Sequence, residues 1–342
     1  MSGHRFIWRL ALLITALAFC VIVLGAYVRL SDAGLGCPDW PGCYGKLVVP
    51  ETPADASVDG RVLIQRPLES GKAWKEMIHR YAASTLGLLI LTLAAAALYR
   101  RRRDPQQGIA VPLFMVALVI FQGMLGMWTV TLLLKPSIVT AHLLGGMTTV
   151  ALAWWVVLRN SSLIPAALCR VPGRSTTVLR PWALLALLML YIQISLGGWT
   201  SSNYAALICP DFPTCQGQWW PEANFGEAFR IWRETGVNYE YGILDSAGRT
   251  AVHLAHRIGA LLTLLLAGGL AIGALRGRDR RVREAGVFLL LALLLQLGLG
   301  IANIELMLPL PLAVAHNGGA ALLLLALVTL LHVLYPARHP PV

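Results

Sequence analysis

Histidines set in apolar surroundings are the residues best equipped for chemistry in this chain. Glu76-Met77-Ile78-His79-Arg80 stands where a charged loop gives way to an apolar run ending near Tyr99, and the pattern returns as His253-Leu254-Ala255-His256-Arg257. His142 and His316 each stand just ahead of a glycine pair, Gly145-Gly146 and Gly318-Gly319. An ionisable group at membrane depth costs about 2.5–3.5 kcal/mol on insertion scales, so such groups mark sites. Two histidines on facing helices of a bundle can ligate a heme iron axially, and bundle cores are where such sites are built. The glycines lie on the same helical face as His142 and His316, where they would relieve crowding against a flat macrocycle. Interhelical hydrogen bonding and proton relay are the competing uses of a single intramembrane histidine. Zinc fits less well, because each half of the chain supplies only two strong ligands at this depth. Covalent heme attachment is excluded by the lack of Cys-x-x-Cys-His.

Around these histidines the two halves differ. One helical turn before His79 stands Glu76, and one turn before His256 stands His253. A carboxylate beside one heme and not the other suggests proton chemistry at the first site and electron carriage at the second. The plainer reading is an interfacial glutamate. His253 is an alternative ligand or a partner for a propionate. Arg80 and Arg257 could make charge-assisted bonds to heme propionates, or they could snorkel to the interface. Four cysteines belong to two loops, Cys37 and Cys43 in Gly36-Cys37-Pro38-Asp39-Trp40-Pro41-Gly42-Cys43, and Cys209 and Cys215 in Cys209-Pro210-Asp211-Phe212-Pro213-Thr214-Cys215. Cys37–Cys43 and Cys209–Cys215 are the local pairings among three possible connectivities. A structural staple and a redox-active pair are both open, and thioredoxin-like chemistry would favour Cys-x-x-Cys. Cys20 falls within the first helix and Cys169 in an inner loop.

Membrane helices must position these groups. The chain is 57% hydrophobic and 13% charged, with mean hydropathy +0.65, whereas about a quarter of residues are charged in soluble domains. Eight apolar runs, at roughly 10–29, 78–99, 110–133, 138–158, 182–200, 251–275, 285–306 and 311–334, approach the ~20 residues a helix needs to cross a bilayer. The alternating segments of a β-barrel are missing. The first run is longer than the roughly 7–15 residues of a signal h-region and reads as an uncleaved helix. An all-α polytopic membrane protein is the expected fold class.

Its net charge of +11 is a topology signal. Basic residues gather between alternate helices: Arg100 to Arg103, then Arg159, Arg170, Arg174 and Arg180, then Arg276, Arg278, Arg280, Arg281 and Arg283. With Arg5, Arg9 and Arg338 on the same side, the positive-inside rule puts both termini in the cytoplasm. No nucleic-acid partner is implied. The long outer loops, 30–76 and 201–250, then face the oxidising side. Landmarks recur at nearly one spacing: Cys37 returns 172 positions on as Cys209, His79 after 177 as His256, and Gln122 and His142 after 174 as Gln296 and His316. Eight transmembrane helices in two pseudo-repeated four-helix bundles, residues 1–160 and 182–342 joined by a cytoplasmic linker at 161–181, is the resulting architecture.

The chain resembles the heme A synthase family. The resemblance rests on the eight apolar runs, Glu-x-x-His-Arg at Glu76 to Arg80, the paired histidines and the outer cysteine pairs. Gly36 to Cys43 is especially similar to the bacterial, cysteine-pair-containing form. The resemblance implies oxidation of the C8 methyl of heme O to a formyl group, through hydroxymethyl intermediates, giving the heme A of terminal oxidases. It further implies a substrate heme at His79 and His142 and a heme b cofactor at His256 and His316; Glu76, one turn from His79, is then the candidate catalytic base by its position. A bacterial cytoplasmic (inner) membrane follows, with heme O synthase and terminal oxidase assembly factors as candidate partners and homo-oligomerisation left open. Two other classes stand as alternatives. A diheme electron carrier of cytochrome b561 type would need no Glu76, and a disulfide–quinone oxidoreductase would need no buried histidines.

Overall fold

A backbone in lipid has no water to bond, so a spanning segment must satisfy its own N–H and C=O groups. The computed structural model does this with helices and describes residues 2–52, 67–161 and 174–335. Cys169, Arg170 and Arg338 lie outside the described residues. The helices are α1 (Ser2–Leu30), α2 (Ser70–Arg101), α3 (Ala110–Thr131), α4 (Pro136–Arg159), α5 (Arg174–Ser202), the short α6 (Phe225–Ala228), α7 (Ser246–Leu275), α8 (Arg280–Glu305) and α9 (Leu310–Leu334). Eight of them, all but α6, are long and apolar enough to cross a membrane. Among the described residues there is no β-strand. Local chemistry sets the helix ends. Asp245 and Asp279 cap α7 and α8 by accepting from the backbone N–H of Gly248 and Arg281, satisfying donors that a helix start leaves free. Pro136 opens α4, where a missing N–H costs nothing.

Two helix starts differ from expectation. The apolar pattern places the outer loops at 30–76 and 201–250, but α2 begins at Ser70 and α7 at Ser246. Glu76 and His79 therefore sit in the second and third turns of α2, not at its mouth. The polar turns around Lys72 and Lys75 continue the helix outside the apolar layer, where hydrophobicity gives no signal.

Packing closes the long helices into two rings. In the first, α1 and α3 each pack against both α2 and α4; in the second, α5 and α8 each pack against both α7 and α9. The rings meet where α1 and α4 touch α9, and α4 touches α5. Thr148 Oγ1 lies 3.2 Å from Tyr191 Oη across α4 and α5, and Trp154 Nε1 donates to Thr329 Oγ1 at 2.8 Å across α4 and α9. The α3–α4 turn carries Leu133 and Leu134 at φ 52° and 60°, and the α8–α9 turn carries Met307 and Leu308 at 57° and 60°.

The outer loop of the second ring also crosses to the first. Lys135 Nζ donates to the Arg233 carbonyl at 2.8 Å, and Tyr239 N–H donates to the Leu133 carbonyl at 3.0 Å. Arg29, at the end of α1, donates to Tyr204 Oη at 2.9 Å and to the Ser201 carbonyl at 2.7 Å.

Candidate functional site

The expected histidine pairs stand on the second and fourth long helices of each ring, His79 on α2 with His142 on α4 and His256 on α7 with His316 on α9, and each of these four imidazoles is backed by a glycine of a neighbouring helix. His79 Cε1 lies 3.0 Å from where a Cβ on Gly25 of α1 would stand, and His142 Cε1 lies 3.5 Å from that of Gly126 on α3. In the second ring His256 meets Gly197 of α5 at 3.2 Å, and His316 meets Gly300 of α8 at 3.2 Å. Any side chain at Gly25, Gly197 or Gly300 would push the ring out of place. His79 lies within electrostatic reach of His142, as does His256 of His316.

The nitrogen inventory bears on what the pairs can hold. Nδ1 of His79, His142 and His316 is sealed from solvent without a hydrogen-bond partner. His256 is oriented differently: Gln193 Nε2 lies 3.1 Å from its Nδ1 and also donates to its carbonyl at 3.1 Å. Gln296 Nε2 lies 3.3 Å from His316 Nε2. Among the described residues no group of three or more His, Cys, Asp or Glu side chains comes together in a metal-holding arrangement. Paired buried imidazoles, three of them with an unpartnered ring nitrogen, fit the donor chemistry of axial ligation to a porphyrin iron.

The expected glycine wall is not bare. The space above Gly145 is occupied by the side chain of Gln122, and that above Gly319 by Gln296. Gly146 and Gly318 pack against Ile22 and Val23 of α1, a Cβ at each falling 3.7 and 3.3 Å from those side chains. These glycines admit side chains of adjacent helices, because a glutamine amide in an apolar layer takes whatever backbone notch lies opposite it.

Glu76 is 5% exposed. Its Oε2 accepts from the Cys37 N–H at 2.9 Å and its Oε1 from Arg80 at 2.5 Å. The same guanidinium donates to the carbonyls of Asp39 at 3.0 Å and Pro41 at 3.2 Å, and to that of Gly42. Arg257 repeats this on the second loop, donating to the carbonyls of Thr214 at 2.6 Å, Asp211 at 2.8 Å and Cys209 at 3.1 Å. Both arginines, for which the sequence leaves propionate pairing and snorkelling open, clamp the loops here through these carbonyls. His253 holds the Ala205 carbonyl, with Nδ1 at 3.0 Å.

The loops themselves are disulfide-closed hairpins, Cys37–Cys43 and Cys209–Cys215. Cys43 pairs with Lys46 and Cys215 with Gln218 through reciprocal backbone bonds. Asp39 accepts from the N–H of Tyr44 at 2.6 Å and of Gly45 at 2.7 Å; Asp211 accepts from those of Gln216 at 2.6 Å and Gly217 at 3.0 Å. Hydrogen bonds from Thr214 and these amides hold the Asp211 carboxyl below its ordinary range.

Comparison with known proteins decides the family. The heme A synthase of Shewanella oneidensis is 44% identical over 333 residues, covering 96% of this chain and 95% of that protein. Those of Caulobacter vibrioides and Halalkalibacterium halodurans are 28% and 26% identical, covering 78% and 72% of this chain and 77% and 68% of theirs. The family described as cytochrome oxidase assembly protein matches residues 8–328. The chain belongs to the heme A synthase family. The matched span includes both histidine pairs, both hairpins and Glu76. A cytochrome b561-type carrier and a disulfide–quinone oxidoreductase find no support beside it.

Several site residues escape sequence reasoning. Gly25 and Gly197, the backing for His79 and His256, recur at the 172-residue spacing of the cysteines, and that spacing could have found them. Gln193 has no such signal, since Val21 stands at the matching position.

Proposed function

We propose that this protein converts heme O to heme A, oxidising the C8 methyl to a formyl group through hydroxymethyl stages. In this reading the first ring takes heme O as substrate between His79 and His142, and the second holds heme b between His256 and His316. Heme b, when bound, supplies one-electron redox capacity. The protein side of the reaction is orientation and proton handling. Imidazoles pinned against Gly25 and Gly126 fix the plane and depth of the substrate. Glu76, one turn from His79, is the base that accepts protons as the methyl carbon is oxidised, a role typically contributing about 10²–10⁴-fold. Arg80 and the Cys37 N–H aim its carboxylate, and each oxygen keeps a further lone pair with which to accept a proton. The 203–245 loop, bonded to Leu133 and Lys135 at the outer end of α3 and α4, would help exclude water there.

The observation that carries this reading is the buried carboxylate present one turn before His79 and replaced by His253 before His256. The arginine distribution supports a bacterial cytoplasmic membrane with cytoplasmic termini and hairpins on the oxidising side. Co-expression with a heme O supply, followed by chromatography of extracted hemes, tests the assignment. Heme A in the extract is expected; heme O unchanged beside heme b would refute it.

A further inference from the structure

The two hairpins share a feature that hemes do not explain. Each places two consecutive large apolar residues, just past its second cysteine, on the outside of the protein. Leu47 and Val48 are 76% and 56% exposed, and Trp219 and Trp220, 172 positions on, are 75% and 64% exposed. A loop that simply projected into water would not keep such a pair in the same place twice.

Hairpin docking settles the depth of these tips. Arg80 binds the carbonyls of Asp39, Pro41 and Gly42, and Arg257 binds those of Asp211, Pro213 and Thr214, the same three hairpin positions. Each hairpin thus lies along its own helix in the same register. In the first, the Tyr81 hydroxyl donates to the Leu47 carbonyl. A hydrocarbon core of about 30 Å takes about 20 helical residues. Counted outward from Arg100 on α2 it ends near Arg80 and Tyr81, and from Arg276 on α7 near Arg257 and Ile258. Both tips therefore lie at the outer edge of the hydrocarbon layer. Tyr81, which bonds the first tip, is itself exposed, as are Ile78 and Trp74 at helical spacing on α2, and Ile258, next to Arg257 on α7, is exposed as well.

We propose that the two disulfide-closed hairpins are membrane anchors, with Leu47-Val48 and Trp219-Trp220 inserted into the outer leaflet where the lipid glycerol meets the acyl chains. The partner is the phospholipid bilayer itself, a setting in which tryptophan is favoured. Insertion fixes the hairpins against the lipid on one side while the arginines fix them against the helices on the other.

Tryptophan fluorescence of the full chain in phosphatidylcholine vesicles tests this. The emission lost in a Trp219→Phe/Trp220→Phe double variant, taken as a difference spectrum, reports the second tip; a Leu47→Trp variant reports the first. Phosphatidylcholine brominated high on the acyl chain should quench each component, as the interfacial setting favoured by tryptophan requires, while aqueous iodide leaves it nearly unchanged. Quenching by iodide, with indifference to brominated lipid, would overturn the proposal. Protection from both quenchers would place the tip against protein and overturn it equally.

Discussion

The two rings share a plan and part in their details. Both mount an imidazole on the second and fourth long helices, back each with a glycine, and clamp a disulfide hairpin with the arginine that follows the first histidine. One turn above that histidine, however, the first ring has a buried carboxylate held by Arg80 and the Cys37 N–H, while the second has His253 on a backbone carbonyl. The rings also differ in burial: the core stretch of α4 is 39% buried, whereas that of α9, which packs against α1 and α4 as well as its own ring, is 72% buried. A proton acceptor beside the histidine suits a molecule that reacts there; a ring without one suits a resident group. The comparison teaches that two rings of like plan differ at a few side chains, and those side chains are where the proposed roles part.

The largest effects should come from the histidines. His256→Ala or His316→Ala should abolish both bound heme b and heme A formation, whereas His79→Ala or His142→Ala should abolish heme A and spare heme b. Absorption spectra of the purified variants check this, and equal heme b loss in all four would break the comparison. Next come the arginines. Arg80→Ala strips a partner from buried Glu76 as well as from the hairpin and should cost about 3–5 kcal/mol. Arg257→Ala leaves only carbonyls unpaired and should cost about 1–3 kcal/mol, so thermal melts should rank Arg80→Ala the less stable. Gln193→Leu frees the His256 ring and should weaken heme b retention about tenfold, the scale of losing a group that orients a metal ligand. Titration of apoprotein with hemin measures it.

The smallest effect is on pH dependence at the second hairpin. The Asp211 carboxyl is held low by Thr214 and by the Gly217 and Gln216 amides. A depressed folded-state pKa contributes stability that is present above the ordinary carboxylate range and lost as pH falls through the folded value. Asp211→Asn should therefore narrow the gap in melting temperature between neutral and acidic buffer, and an unchanged gap would show that the carboxylate charge plays no part.

How much of this was legible in the sequence depended on whether a residue's partner was local. The eight spans could be read because lipid demands length and apolarity, and the histidine pairs because their spacing recurs. The starts of α2 and α7 could not, since polar helical turns beyond the lipid carry no hydrophobic signal. The roles of Arg80 and Arg257 depend on carbonyls 38 to 48 residues away. Gly145 and Gly319 look like relief for a macrocycle in the sequence, because nothing local shows that Gln122 and Gln296 lie opposite. Gln193 broke the repeat, so comparing the halves could not reveal it.

The division of labour between the rings is tested most directly by Glu76→Gln, which keeps size and hydrogen bonding and removes the basic carboxylate. The variant, expressed with a heme O supply, should keep heme b at the parent level, contain heme O or a hydroxymethyl intermediate, and yield no heme A in extracted pigment. Heme A at the parent level would contradict the assignment of proton chemistry to the first ring.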